Sequence, residues 1–263
     1  FLFIFGFGMG VEGAALATVL AQFISAVVCL IYMIKKCPFL KLSKGDFILT
    51  GSEIKYLLSS GLGMALMYSI VDIGSIVLQN GINGLGTEII SAHTAARKIF
   101  SFTIMPFSAI SATLVTFVSQ NLGAGRIDRI KKSIKYGLLV GYIWSTIAVL
   151  AAYLFGEQLV MLIAPADNRV IIDTAVNYLK INIPFYYALT TLLSLRCTLQ
   201  GLGNSVVPIG ASLVEMVWKI VTVVAIIPVC GYLGVCISEP IIWVASGILV
   251  SIIAVTTIKR LKK

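Results

Sequence analysis

Three sets of polar side chains recur at helical spacing inside otherwise apolar stretches of this chain. Tyr68, Asp72, Ser75, Gln79 and Asn83 are separated by three or four positions and share one helix face. Asn177, Lys180, Pro184, Tyr187, Thr191, Ser194 and Thr198 step by 3, 4, 3, 4, 3 and 4. Ser212, Glu215, Lys219 and Thr222 form a third stripe. Polar groups in apolar surroundings cost free energy unless they meet other protein or water, so such stripes mark an interior. They predict either hydrogen bonds between helices or the wall of a water-filled cavity, with Tyr68, Ser75, Gln79, Lys180, Tyr187, Thr191, Glu215 and Lys219 as lining residues. Asp72 lies about ten residues from either end of its run. There a carboxylate can bind and release a proton, or give Na+ one ligand among neutral oxygens. The alternative is a neutralising pair with Lys219 or Lys180.

The remaining charges suit simpler roles. Glu215 and Lys219 are an i,i+4 pair and can neutralise each other on one helix. Arg97 and Lys98 can snorkel to an interface or line a cavity mouth. Arg196 sits near a helix end, where a cation suits exposed carbonyls. His93, the sole histidine, fits either a proton relay or a satisfied helix-end residue. Pro184 and Pro106 are hinge candidates, because a proline inside a helix frees a carbonyl one turn earlier. The five cysteines, Cys29, Cys37, Cys197, Cys230 and Cys236, lack metal spacing and read as small apolar residues. There is no P-loop, HExxH, GxSxG or Cys/His cluster, so neither a catalytic site nor a bound metal is expected, and no enzyme. Gly6-x-Gly8-x-Gly10 does not follow a soluble strand, which excludes a dinucleotide reading.

The elements that must hold these residues are membrane spans. Of 263 residues, 59% are hydrophobic and only 12% charged, with mean hydropathy +1.00. Soluble domains carry about 25% charged residues. From Ile99 to Val118 run 20 residues without a charge, enough at about 1.5 Å each to cross ~30 Å of hydrocarbon. The pattern predicts an all-α polytopic membrane protein with seven spans: 13–34, 57–82, the stretch centred on 99–118, 134–155, 171–200, 205–229 and 233–258. The net charge of +9 does not imply nucleic acid, because the basic residues gather in short loops. Alternate connections hold Lys35, Lys36, Lys41, Lys44 and Lys55, then Arg126, Arg129, Lys131, Lys132 and Lys135, then Lys259, Arg260, Lys262 and Lys263: 14 of the 20 basic residues. These are placed in the cytoplasm, with Phe1 outside. Residues 37–56 read as a cytoplasmic linker with room for a surface helix, and 259–263 as a basic tail. Gly10-Val11 precedes Lys35-Lys36, and Gly234-Val235 precedes Lys259-Arg260, by the same 25 residues. That spacing suggests a parallel repeat, with span 13–34 (within 1–36) closing a first bundle and 57–258 forming a second, six-helix one. Phe1 is not Met and lacks a signal-peptide flank, so the sequence reads as a fragment.

The order Ala92-His93-x-Ala95-Ala96, a mid-helix proline, then Gln120-Asn121-Leu122-Gly123-Ala124-Gly125 resembles the eighth helix of multidrug and toxic compound extrusion (MATE) transporters. The likeness extends to Gly10-Val11-Glu12-Gly13, to Leu199-Gln200-Gly201-Leu202-Gly203-Asn204 and to Glu239-Pro240-x-x-Trp243. It implies part of a twelve-helix, two-bundle exporter of cationic or amphipathic compounds in exchange for Na+ or H+, with span 13–34 as helix six. It implies a bacterial plasma membrane, a small-molecule substrate, no other cofactor, no nucleic acid and no obligate protein partner. The family's helix-seven glutamate falls on or beside Val71, leaving Asp72 as the nearest acid, and the helix-ten aspartate region offers only Thr190 and Thr191. The resemblance therefore leaves the coupling ion open. A flippase of the same superfamily, moving lipid-linked glycans, is the alternative that a strongly basic cavity would favour.

Overall fold

The computed structural model describes residues 2–37, 50–163, 168–204 and 206–260. All secondary structure among them is helical. Phe1, residues 38–49 of the expected linker, residues 164–167, Ser205 and residues 261–263 of the expected basic tail lie outside the described residues.

The chain divides into two compact units, Phe1–Leu57 and Leu58–Lys263. The first carries a π-helical turn Leu2–Gly6 and α1 (Gly10–Lys36), whose last turn ends on Lys35 and Lys36. The second begins within α2 (Gly51–Asn83) and continues through α3 (Thr87–Gly123), α4 (Ile127–Met161), α5 (Arg169–Asn182) and α6 (Tyr186–Gly201). It closes with α7 (Val206–Val221), a π-helical turn Thr222–Ile226, α8 (Ile227–Cys230) and α9 (Tyr232–Arg260). Among the described residues, α1, α2, α3, α4, the segment Val206–Cys230 and α9 are each long and apolar enough to span a membrane. The expected span 171–200 is present but divided, with a 3₁₀ turn Ile183–Phe185 joining α5 to α6. Helix α2 starts at Gly51, so the last residues of the expected linker belong to it.

The breaks follow the prolines, and neighbouring side chains take up the carbonyls they free. Pro184 leaves the Lys180 carbonyl without a helical donor, and the Tyr153 hydroxyl of α4 donates to it at 3.2 Å. Pro240 does the same to Cys236, whose carbonyl accepts from Asn182 Nδ2 at 3.0 Å. A π turn precedes Pro228, the wider winding giving its ring room. Pro106 interrupts nothing, since α3 continues through it, and nearby the Thr103 carbonyl accepts from Trp144 Nε1 at 2.8 Å.

Two of the turns resembling the family end their helices in one way. At Gly125 (φ +67°) the chain enters the left-handed region, Gly125 N–H donates to Leu122 O and Arg126 N–H to Asn121 O. Gly203 (φ +82°) repeats this, with Gly203 N–H to Gln200 O and Asn204 N–H to Leu199 O. This is the Schellman closure, and it explains why glycine stands at both positions.

The core lies among α3, α4, α5, α6 and α9, where Tyr178, Tyr186, Phe107 and Leu199 are fully buried. Helices α4 and α6 meet so closely at Gly141 that an added Cβ would stand 2.4 Å from Thr190 Cγ2. Helix α2 leans on α7 and the π turn through Gly74 and Gly81. Of the five cysteines only Cys236 is buried, and Cys29 and Cys230 lie on exposed surface. Reading the cysteines as small core residues therefore holds for Cys236 alone among the described residues.

Candidate functional site

The intramembrane charges settle into distinct nodes. On α7, Ser212 and Lys219 face inward, and Lys219 Nζ lies 2.8 Å from Glu215 Oε1 and 2.9 Å from Ser75 Oγ of α2. Gly74 makes this contact feasible, since the aliphatic stem of Lys219 runs against it. Thr222 continues the stripe into a 2.8 Å hydrogen bond with Ser238 of α9. Arg196 of α6 donates to Ser212 Oγ at 2.6 Å rather than to its own helix end.

The stripe on α5 and α6 faces α4 over much of its length. Tyr142 bonds Thr191 at 2.8 Å and Thr146 bonds the Tyr187 hydroxyl at 2.9 Å. Tyr153 reaches Lys180 as above, and Ser145 meets Thr190 at 3.1 Å. At the end formed by the C-terminus of α4 and the N-terminus of α5 the seam opens into a cleft of about 410 Å³ lined by Tyr153, Glu157, Gln158, Asp173, Asn177 and Lys180. Nearby the guanidinium of Arg169 pairs with Glu157.

A third node was not visible as a stripe. Arg97 of α3 pairs with Glu239 of α9 at 2.9 Å, and the Tyr178 hydroxyl of α5 donates to the other carboxylate oxygen at 3.1 Å. Arg97 also lies over the Phe100 ring, 4.6 Å from its centroid. His93 stands beside them, with Nδ1 3.1 Å from the Tyr232 hydroxyl and its ring edge-on to Tyr178. Arg97 is thus held by Glu239 while its side chain stays 40% exposed. The available signal was that Glu239 is the only acid in span 233–258 and Arg97 lies at a similar distance from the outer end of its own span.

Asp72 and Tyr68 lie on the exposed side of α2, and among the described residues neither has a hydrogen-bond or ion-pair partner. Gln79 is exposed as well and donates to Asn83 at 2.9 Å. Lys219 pairs with Glu215, and no ion pair joins Asp72 to Lys219 or Lys180. The residues proposed for a cavity are thus distributed over three places: Tyr68, Asp72 and Gln79 on the open face of α2, Ser75 with Glu215 and Lys219 at the α2–α7 contact, and Lys180, Tyr187 and Thr191 along α4.

Long apolar helices with prolines at or near their breaks, and with charges neutralised in pairs on and between them, define a polytopic membrane protein. The MatE family matches residues 54–225, and the chain belongs to that family. It is 27% identical over 262 residues to "Probable multidrug resistance protein NorM" of Thermotoga maritima, covering 98% of this chain and 54% of that protein. It is 25% identical over 162 residues to "Probable multidrug resistance protein YoeA" of Bacillus subtilis, covering 60% and 35%. The chain therefore spans about half the length of the relatives it matches. Its fold is shared with a multidrug resistance MATE family transporter of the MOP superfamily solved in an outward-facing conformation, with TM-score 0.88 and 20% identity over 100% of this chain and 59% of that one.

Proposed function

We propose that the chain forms part of a secondary active exporter that moves cationic or amphipathic compounds out of the cell in exchange for Na+ or H+, from a bacterial plasma membrane. Family membership and the multidrug resistance relatives support the class. The reading has no catalytic step, and the coupling ion is the only cofactor it requires. On this reading residues 57–258 act as one six-helix bundle, with 1–36 contributing the last helix of another.

One observation carries the choice of coupling residue. Three carboxylates stand within the spans of the second unit away from their ends: Asp72, Glu215 and Glu239. Glu215 is neutralised by Lys219 and Glu239 by Arg97, whereas Asp72 has no partner among the described residues. A neutralised carboxylate exchanges a cation only by first breaking its pair, so Asp72 is the group free to do so. With Lys219 and Arg97 paired, only Lys180 and Arg196 among the span cations Arg97, Lys180, Arg196 and Lys219 keep an unpaired charge, which weighs against lipid-linked glycans as cargo. Asp72→Asn, made in the complete reading frame, is expected to abolish ion-driven efflux while drug binding and folding persist. Efflux at the parental rate would remove Asp72 from the role.

A further inference from the structure

The outer cleft between α4 and α5 holds two charges of opposite sign that do not meet. Asp173 and Lys180 both line it, and among the described residues neither has an ion-pair partner. Glu157, the other acid there, is paired with Arg169, whose charge also acts on Asp173 one helical turn away without closing an ion pair. Asp173 and Lys180 are seven residues apart on α5, ~10 Å along the helix, which is too far for a direct pair at one face. Asn177 lies between them on the same face, and the Tyr153 hydroxyl stands opposite.

Depth gives the two charges an order. α5 runs inward from Arg169, so Asp173 sits ~6 Å and Lys180 ~16 Å along it, with the lysine stem able to reach back toward the interface. A cation lies deep and an anion shallow. An outer-leaflet phospholipid with an amine headgroup has the inverse order, phosphate nearer the hydrocarbon and ammonium nearer the water. Leu154 at the wall of the cleft, and Leu150 and Ile147 farther along α4, are large apolar side chains that stand exposed, where acyl chains can lie. We propose that this cleft binds the headgroup of phosphatidylethanolamine, with Lys180 on the phosphate and Asp173 on the primary ammonium. An anionic headgroup would satisfy Lys180 but meet Asp173 unfavourably. A choline headgroup has no N–H to donate to Asp173.

The test is native mass spectrometry of the delipidated protein expressed from its complete reading frame, titrated with short-chain phosphatidylethanolamine, its mono- and dimethylated forms, phosphatidylcholine and phosphatidylglycerol. Retention of phosphatidylethanolamine is expected to exceed that of the choline and glycerol lipids by about tenfold, and to fall with each added methyl. Asp173→Asn is expected to erase this preference, and Lys180→Gln to weaken binding of every phospholipid. Equal retention of all headgroups by the parental protein would overturn the proposal, as would an unchanged preference in Asp173→Asn. Displacement by soluble phosphoethanolamine at the lipid's own concentration would also overturn it, since the cleft would then serve a soluble ligand. Should Asp173→Asn not fold, the methylation series on the parental protein decides alone. Because the readout is lipid retention, the result is independent of whether the protein exports drugs.

Discussion

A carboxylate or guanidinium within a span costs several kcal/mol alone, so a change at one partner should be felt mainly through the charge it strands. Glu239 accepts from both Arg97 and Tyr178, and its side chain is 12% exposed, so little water is at hand to replace either. The Arg97 side chain is 40% exposed, so Glu239→Leu or Arg97→Met alone is expected to destabilise the purified protein by about 1–3 kcal/mol, and the double variant by clearly less. Thermal unfolding in detergent, read as a double-mutant cycle, measures this; additive losses would mean that the two residues act apart. The Glu215–Lys219 pair was legible in the sequence because its members are one helical turn apart. The Arg97–Glu239 pair was not, because 142 positions separate its members and only packing brings them together. Nor could periodicity choose between the two polar faces of α5 and α6. Tyr178, Asn182, Tyr186 and Thr190 repeat every four residues one or two positions away from the stripe containing Lys180 and Tyr187, and this set is buried throughout, whereas Asn177, Lys180, Tyr187 and Thr191 are not buried.

At the scale of elements, apolar length and punctuation were sufficient to locate the spans, since hydrocarbon leaves the backbone few alternatives to a helix. What they did not give was the form of each proline break. Pro106 stays within an unbroken helix, Pro184 enters a 3₁₀ turn and Pro228 follows a π turn. The break at Pro184 is the one with a mobile character to test, because its Lys180 carbonyl depends on a single hydroxyl from another helix. Pro184→Ala should restore the helical donor, preserve expression and slow export; unchanged export would leave the turn without a role in transport. A packing prediction belongs at the same scale. Gly141→Val should separate α4 from α6, because even a Cβ would collide with the branched Thr190 side chain. A loss of about 1–3 kcal/mol in thermal unfolding is expected, and partial recovery on adding Thr190→Ser would identify the collision as its cause.

Across the whole molecule the charges sort by place: Arg97–Glu239 and Glu215–Lys219 pair inside the spans, and the charges between spans are mostly basic and gathered in alternate connections. Lys131, Lys132 and Lys135 stand in the first turns of α4, and the Asn83–Gly86 turn at the other end of α2 has no charged residue. This asymmetry, rather than any contact within the fold, sets which end of the second unit faces the cytoplasm, because lysine and arginine in short loops resist transfer across the bilayer. Asn83 is therefore expected outside and Lys131 inside. Cysteines placed at these positions, in a background where Cys29, Cys37, Cys197, Cys230 and Cys236 are replaced by serine or alanine, should divide cleanly when intact cells meet an impermeant maleimide. Asn83→Cys should label and Lys131→Cys should label only after permeabilisation. The reverse pattern would invert every depth assigned above, placing the Arg97–Glu239 node and the α4–α5 cleft in the cytoplasmic leaflet. The cleft would keep its order of charges, since a headgroup in either leaflet carries its amine on the watery side, but its lipid would then come from the inner leaflet.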